Sequence, residues 1–190
     1  MKIDFHTHIY PDRVALSTVN AVRQRAGIDA YTEGTLEGLK RSMASAGIDL
    51  SVIAAVATKP EQVASIQRWV NGIRQPGIEA MAVMHPAQPL TPRQIGTLKR
   101  DGYRGFKLHP DYQDFFVDDP RMYPIYESVA AEGMFILFHA GIDRGLPHPV
   151  HATPRRLAAA HKAVPGLCMV AAHFGGEDAY EESLEYLLGQ

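Results

Sequence analysis

The sequence predicts an α/β fold assembled from parallel βα units, and three observations carry that reading. Six short apolar runs alternate with helix-patterned stretches from one end to the other. Those helical stretches open on Thr-Pro or Asp-Pro, close on glycine, or do both, as helix capping requires. From the second strand onward the repeat is about thirty residues, the size of one βα unit. Short buried strands separated by helices imply parallel pairing through crossovers.

Each element has its own signals. KIDFHTHI (2–9) is the first strand, and residues 11–34 add an extra helix inside the first crossover. A helix over 35–46 closes at Gly47. LSVIAAVA (50–57) leads to a helix over 60–74, ended by Pro76-Gly77. EAMAVMH (79–85) is followed by a helix over 91–101, which starts at Thr91-Pro92 and stops at Gly102. GFKLH (105–109) precedes a helix entered through Asp119-Pro120 and closed at Gly133. MFILFHAG (134–141) precedes one opened by Thr153-Pro154 and ended by Pro165-Gly166. LCMVAAHFG (167–175) and a last helix over 177–188 complete the series. The two long connections, 111–118 and 142–152, are where specificity is commonly carried. An open doubly wound sheet and a (β/α) barrel both satisfy this order. No Gly-x-Gly-x-x-Gly follows a strand and no Walker-type loop is present, so the nucleotide-binding version of the open sheet lacks its signature.

Composition narrows the function classes. With 190 residues, 46% of them hydrophobic, residues 1–190 can bury one core and read as a single domain. A formal net charge of −2 gives no field to attract nucleic acid or an anionic membrane. No apolar run approaches the roughly 20 residues of a membrane span, and the start lacks a secretory pattern. A cytoplasmic location is therefore expected. Cys168, the single cysteine, rules out an internal disulfide framework and reads as a small buried hydrophobe.

The nine histidines carry the functional reading. His6 and His8 end the first strand, His85 the third, His109 the fourth, His139 the fifth and His173 the sixth. In parallel α/β folds that edge is where active sites are built. Strand alternation sets Asp4, His6 and His8 on one face. It pairs Lys107 with His109, and lets His139 follow Phe135 and Leu137. His173 is expected to follow Met169 and Ala171 inward. Neutral imidazoles suit a catalytic zinc with three protein ligands and a water. His6, His8 and His139 are the ligand candidates, and His173 is next, as a fourth ligand or a general acid/base. A divalent metal is expected, zinc first and manganese as the alternative.

Other residues have competing readings. His109-Pro110 either turns the chain or faces the substrate; His85-Pro86 reads as structural. His148, His151 and His161 read as loop or helix-surface residues, with contact to substrate as the alternative for His148 and His151. Lys107 reads as an anion anchor or an internal pairing partner ahead of a carbamylated metal bridge. Arg144 can clamp a carboxylate or simply be solvated. Tyr10, Tyr112, Phe115 and Phe116 either wall a pocket or anchor loops. Lys107, His109, Arg144 and Tyr10 are thus the substrate-binding candidates, for a small and anionic substrate.

Taken together, IDFHTHIYP, GFKLHP, FHAG and AHFGG resemble the amidohydrolase superfamily, in particular its amidohydrolase-2 branch. The resemblance implies a TIM-barrel-like (β/α) metal-dependent hydrolase fold with about six of eight βα units present. It implies His6, His8 and His139 as ligands and His173 as ligand or acid/base. The strand-eight aspartate of such barrels has no counterpart, since Glu177 and Asp178 suit a helix's first turn better. Three functions are expected in turn. The first is hydrolysis of a small ester, lactone or amide; the second is non-oxidative decarboxylation of a small unsaturated or aromatic acid. The third is an inactive metal-binding fragment or interaction module. Unpaired edges also predict a homo-oligomer.

Overall fold

In the computed structural model, which describes residues 1–146 and 148–189, six strands alternate with seven α-helices. The expected domain 1–190 and loop 142–152 each include one residue outside that set, Gln190 and Pro147 respectively. The strands are β1 (Ile3–Thr7), β2 (Leu50–Ile53), β3 (Ile78–Ala80), β4 (Gly105–Leu108), β5 (Phe135–Phe138) and β6 (Cys168–Ala171). The helices are α1 (Asp12–Ala26), α2 (Leu36–Ala46), α3 (Val63–Ile73), α4 (Pro92–Arg100), α5 (Tyr123–Ala131), α6 (Pro154–Ala163) and α7 (Tyr180–Tyr186). As expected, α1 is the additional helix of the first crossover.

All the strand pairs are parallel and run in chain order, as two sheets, β1-β2-β3 and β4-β5-β6. The Ala82 N–H donates to the Gly105 carbonyl at 2.9 Å, and a parallel bridge from Ala82 to Phe106 links the two sheets. Strand order without a reversal is that of an unclosed TIM-type barrel, not of a doubly wound sheet, which reverses at its switch point.

The punctuation in the sequence does what capping chemistry predicts. Thr35, Thr91 and Thr153 accept from the backbone N–H of Gly38, Gln94 and Arg156 at the starts of α2, α4 and α6. Pro92 and Pro154 occupy the first helical turn, where no N–H is missed. Gly47 closes α2 at φ 64°, a conformation that costs a residue with a Cβ.

Side chains alternate between two layers. Phe106, Leu108, Ile136 and Phe138 pack with Val70, Ile95, Tyr126 and Leu157 beneath the helices. Val52, Ala54, Met81, Leu137 and Ala172, with Phe135 and Val170, fill the concave side. This matches the expectation for β4 and β5 and reverses it for β6. There Val170 and Ala172 point inward, while Met169 and Ala171 pack beneath the helices. Counting back in twos from His173 fails because His173 has left the strand. It opens a short 3₁₀ turn in which His173 and Phe174 both adopt positive φ, 58° and 55°. Cys168 is a second correction: it is exposed, because β6 is an outer strand of the arc. Burial of His85 agrees with its structural reading; its Nδ1 accepts the Ala87 N–H at 3.1 Å.

The loops after β5 and β6 are stitched together at Gly141. Its N–H donates to Ala152 O, Ile142 N–H donates to Glu177 O, and Glu177 N–H donates to Ala140 O. A Cβ on Gly141 would stand 2.0 Å from the Glu177 nitrogen, at φ +79°. Gly141→Ala should therefore cost at least about 2 kcal/mol in urea unfolding. An unchanged midpoint would show that the two loops are not held together here.

Candidate active site

Five histidines and a lysine converge at the C-terminal ends of the strands, each delivered by a different local device. On β1 the device is a bulge. Asp4 pairs with Ser51 but Thr7 with Ile53, so three steps on β1 match two on β2. Phe5 then faces the concave side, its ring 5.4 Å from that of Phe135. The extra residue re-aims the side chains beyond it, as bulges near sites commonly do. His6 and His8 meet with their Nε2 atoms 3.1 Å apart. Asp4 does not join them; it is exposed, its carboxylate 3.5 Å from the His6 N–H.

On β5 strand pairing persists to the site, since His139 N–H donates to Leu108 O at 3.0 Å. At the end of β6 the left-handed turn swings His173 back, bringing its Nε2 to 3.2 Å from His139 Nδ1. The His173 ring also lies 5.5 Å from that of His6. His109 completes the array by stacking on His139, centroids 4.1 Å apart and planes 10° from parallel. The imidazoles thus form a continuous chain, from His8 through His6, His173 and His139 to His109.

His109 ends on a residue that sequence reasoning passed over, Asp143. Tyr112 N–H donates to His109 Nδ1 at 3.4 Å, so the ring proton sits on Nε2, 3.2 Å from Asp143 Oδ2. Asp143 stands beside Arg144 in a loop where specificity was expected; without its tertiary partner nothing distinguished it from a surface aspartate. One ligand atom each from His109, His139 and Asp143 fall within 4.8 Å of one another, close enough to share a metal ion.

The candidate substrate residues separate. Lys107 is buried on the inward face of β4, and its Nζ has no hydrogen-bond partner among the described residues. Tyr10 is half-buried, its phenol pKa raised by burial and by the nearby Tyr112. Arg144 lies 3.3 Å from Glu177 Oε1 and 3.3 Å from Asp178 Oδ2, so it straps two loops together. Phe115 is core, and Phe116 sits between His151 and the Arg156 guanidinium. His151 is not a free surface residue either, since its Nδ1 is 2.9 Å from Asp111 Oδ1.

Crowding keeps these bases neutral. Burial, then the adjacent His109 and Lys107, lowers the His139 pKa to about 2. Burial, then Lys107, lowers His6 to about 3 and His8 to about 4. His109 and His173 are also shifted down, chiefly by burial. Burial alone brings Lys107 to about 7. Burial pushes Asp143 up, but the hydrogen bonds from His109 and the Gly145 N–H, with the charges of His109 and His139, together outweigh it and hold the carboxyl below its ordinary value. Neutral imidazoles with free lone pairs are the form that binds a metal. Two nitrogens on one ion at ~2.0–2.1 Å stand roughly 3–3.4 Å apart, and both close nitrogen pairs meet that spacing. His139 Nε2 is buried without a partner. The donor set fits a divalent cation.

Residues 3–187 match the sequence model of the Amidohydrolase family. The chain belongs to the amidohydrolase family. No curated protein matches it in sequence. Several solved structures resemble it in fold. One is Metarhizium anisopliae IDCase in apo form, at 19% identity and TM-score 0.62, covering 100% of this chain and 68% of that one. Another is a dihydroxybenzoic acid decarboxylase from Polaromonas sp. JS666, with bound manganese and the inhibitor 2-nitroresorcinol. It is 15% identical with TM-score 0.64, over 97% of this chain and 67% of that one. A third is a probable 2-pyrone-4,6-dicarboxylic acid hydrolase from Acinetobacter baumannii with citric acid bound. It is 17% identical with TM-score 0.58, over 98% and 66% of the respective chains. This amidohydrolase chain spans about two thirds of the length of these structures. No helix among its described residues is long and apolar enough to cross a membrane.

The lowered pKa values set the pH response of the metal-free protein. Unfolded imidazoles take up protons near 6.5, whereas His6, His8 and His139 resist until about 3, 4 and 2. Below pH 6.5 the unfolded chain binds more protons, so stability falls as pH drops from 6.5 toward 3. Lys107 acts in the same direction at higher pH, and stability rises between about 7 and 10.5. Metal-free protein should melt at a lower temperature at pH 5 than at pH 7.5. Equal melting temperatures would mean that these imidazoles are not held neutral.

Proposed function

We propose that this chain carries the site of a metal-dependent, non-oxidative decarboxylase acting on a small aromatic or otherwise unsaturated carboxylic acid. One observation carries the reading: a buried Lys107 amine without a partner, set in a recess of neutral imidazoles. A carboxylate is the group such a recess lacks. The manganese-bound dihydroxybenzoic acid decarboxylase that resembles the chain supports the same chemistry.

His6, His8 and His139 would hold the metal. The grouping of His109, His139 and Asp143 is the competitor, but both His109 nitrogens already have partners. Manganese is proposed over zinc, which rests on donor type alone. When bound, the ion would supply positive charge to balance the substrate's carboxylate.

The chain's residues do the rest. Lys107 holds and orients the carboxylate, while Tyr10 and Tyr112 border the recess beside it. Neutral His173 relays a solvent proton: its Nε2–H passes to the ring carbon as the bond to the carboxyl carbon breaks, and its other nitrogen takes a proton from water. The bonding electrons stay on the ring carbon, carbon dioxide leaves, and the net reaction consumes one proton. Arg144 keeps the two flanking loops together, and a homo-oligomer would cover the exposed edges of β1 and β6. Lactone or ester hydrolysis is the second reading, favoured by the resemblance to the 2-pyrone-4,6-dicarboxylic acid hydrolase.

Incubation with Mn²⁺ and a panel of hydroxybenzoic acids in deuterated water tests the proposal. Carbon dioxide should be released with one solvent deuterium entering each product. Lys107→Met should raise KM at least about 30-fold, matching the ~2 kcal/mol lower end for loss of a buried charged contact. His139→Ala should lose its metal by elemental analysis. Ring opening of a lactone without carbon dioxide would establish hydrolysis instead. Metal binding with neither reaction would leave a metal-binding module.

A further inference from the structure

Gln113 belongs to none of the sequence motifs, yet its side chain is 4% exposed and every polar part of it is engaged. Its Oε1 accepts the His109 backbone N–H at 2.9 Å. Its Nε2 donates to the carbonyls of Ala57 and Met84, each at 3.0 Å. Those three partners follow β2, β3 and β4, beyond the last residues at which the strands pair with one another. A glutamine has two amide hydrogens and one carbonyl, and here each hydrogen takes a carbonyl from a different strand end.

The backbone of Gln113 closes the same turn, since its N–H donates to His109 O at 3.0 Å. His109 is therefore gripped at both backbone groups by one residue. The turn so formed carries Tyr112, whose N–H occupies His109 Nδ1. That contact leaves Nε2 as the protonated atom, facing Asp143 Oδ2. Gln113 thus acts on the imidazole at one remove, by fixing the turn that selects its tautomer.

We infer that Gln113 is a positioning residue: it locks the turn after β4 so that His109 presents its Nε2–H to Asp143 and its ring face to His139. A residue that only filled space would need no polar atom here. An amide bonded to three strand ends couples the His109 ring to the barrel instead of leaving it to a mobile loop. The inference rests on His109 belonging to the proposed site, but not on the reaction or the metal.

The test reads the ring itself, in metal-free protein. In full-length chain with ¹⁵N-labelled histidine, the His109 nitrogens should appear as protonated Nε2 and unprotonated Nδ1, one tautomer at neutral pH. Gln113→Met keeps approximate volume and deletes the amide. It should convert that pattern to averaged or mixed tautomers and weaken the Asp143 contact. Gln67→Met is the structural control. Gln67 Oε1 accepts Val83 N–H at 2.8 Å, so this variant also removes a side-chain tie to the backbone after β3. It should lower the melting temperature and leave the His109 pattern unchanged. Should Gln113→Met fail to fold, Gln113→Glu serves in its place. A carboxylate cannot donate to the two carbonyls and should disturb the His109 pattern at neutral pH. An unaltered single tautomer in whichever Gln113 variant folds would overturn the inference, whatever the activity or metal content.

Discussion

Bringing one imidazole within 3.1 Å of another, with a buried amine nearby, makes protonation of any of them unfavourable. In water each ring would titrate near neutrality, but in this recess each added proton faces both desolvation and its neighbours' charges. The protein therefore holds its site as lone pairs in want of a cation. Six basic side chains meet one well-placed carboxylate, Asp143, and that carboxylate is already engaged by His109. The imbalance is what makes the recess receptive to a metal ion.

The fold serves that arrangement through parallel pairing. Parallel strands place all their C-terminal ends on one edge, and the outer layer of Phe106, Leu108, Ile136 and Phe138 holds the strands beneath the helices. The inner layer of Val52, Met81, Leu137 and Ala172 supports the recess from below. At the rim, precision comes from local departures from regular structure. The bulge in β1, the left-handed turn at His173 and Phe174, and the close approach at Gly141 all lie where side chains must be aimed. Each costs backbone regularity, and packing on both sides compensates for it.

The site also shows how two loops become one wall. His151 donates its N–H to Asp111 while its ring meets the same carboxylate. Val117 N–H donates to His151 O, and Arg156 pairs with Asp118. With the His109–Asp143 contact, these bonds join the loop after β4 to the loop after β5 and to the start of α6. Residues that could have been aromatic pocket lining, Phe115 and Phe116, are consumed in building that wall.

By itself the sequence determined the alternation of strands and helices, the caps, and the edge at which the histidines gather. Those features depend on local chemistry: apolar period, Thr-Pro starts, glycine stops. It also determined the inward faces of β4 and β5, where strict alternation runs unbroken to the site. Tertiary structure alone decided the rest. The bulge in β1 and the turn after β6 each break the two-residue period, so the inward face of β6 and the place of Asp4 could not be counted out. Asp143, Gln113 and the strapping of Arg144 depend on partners 29 to 56 residues away for Gln113 and 33 to 34 for Arg144. No periodicity encodes a contact over that distance; only the side-by-side packing of successive βα units brings such groups together.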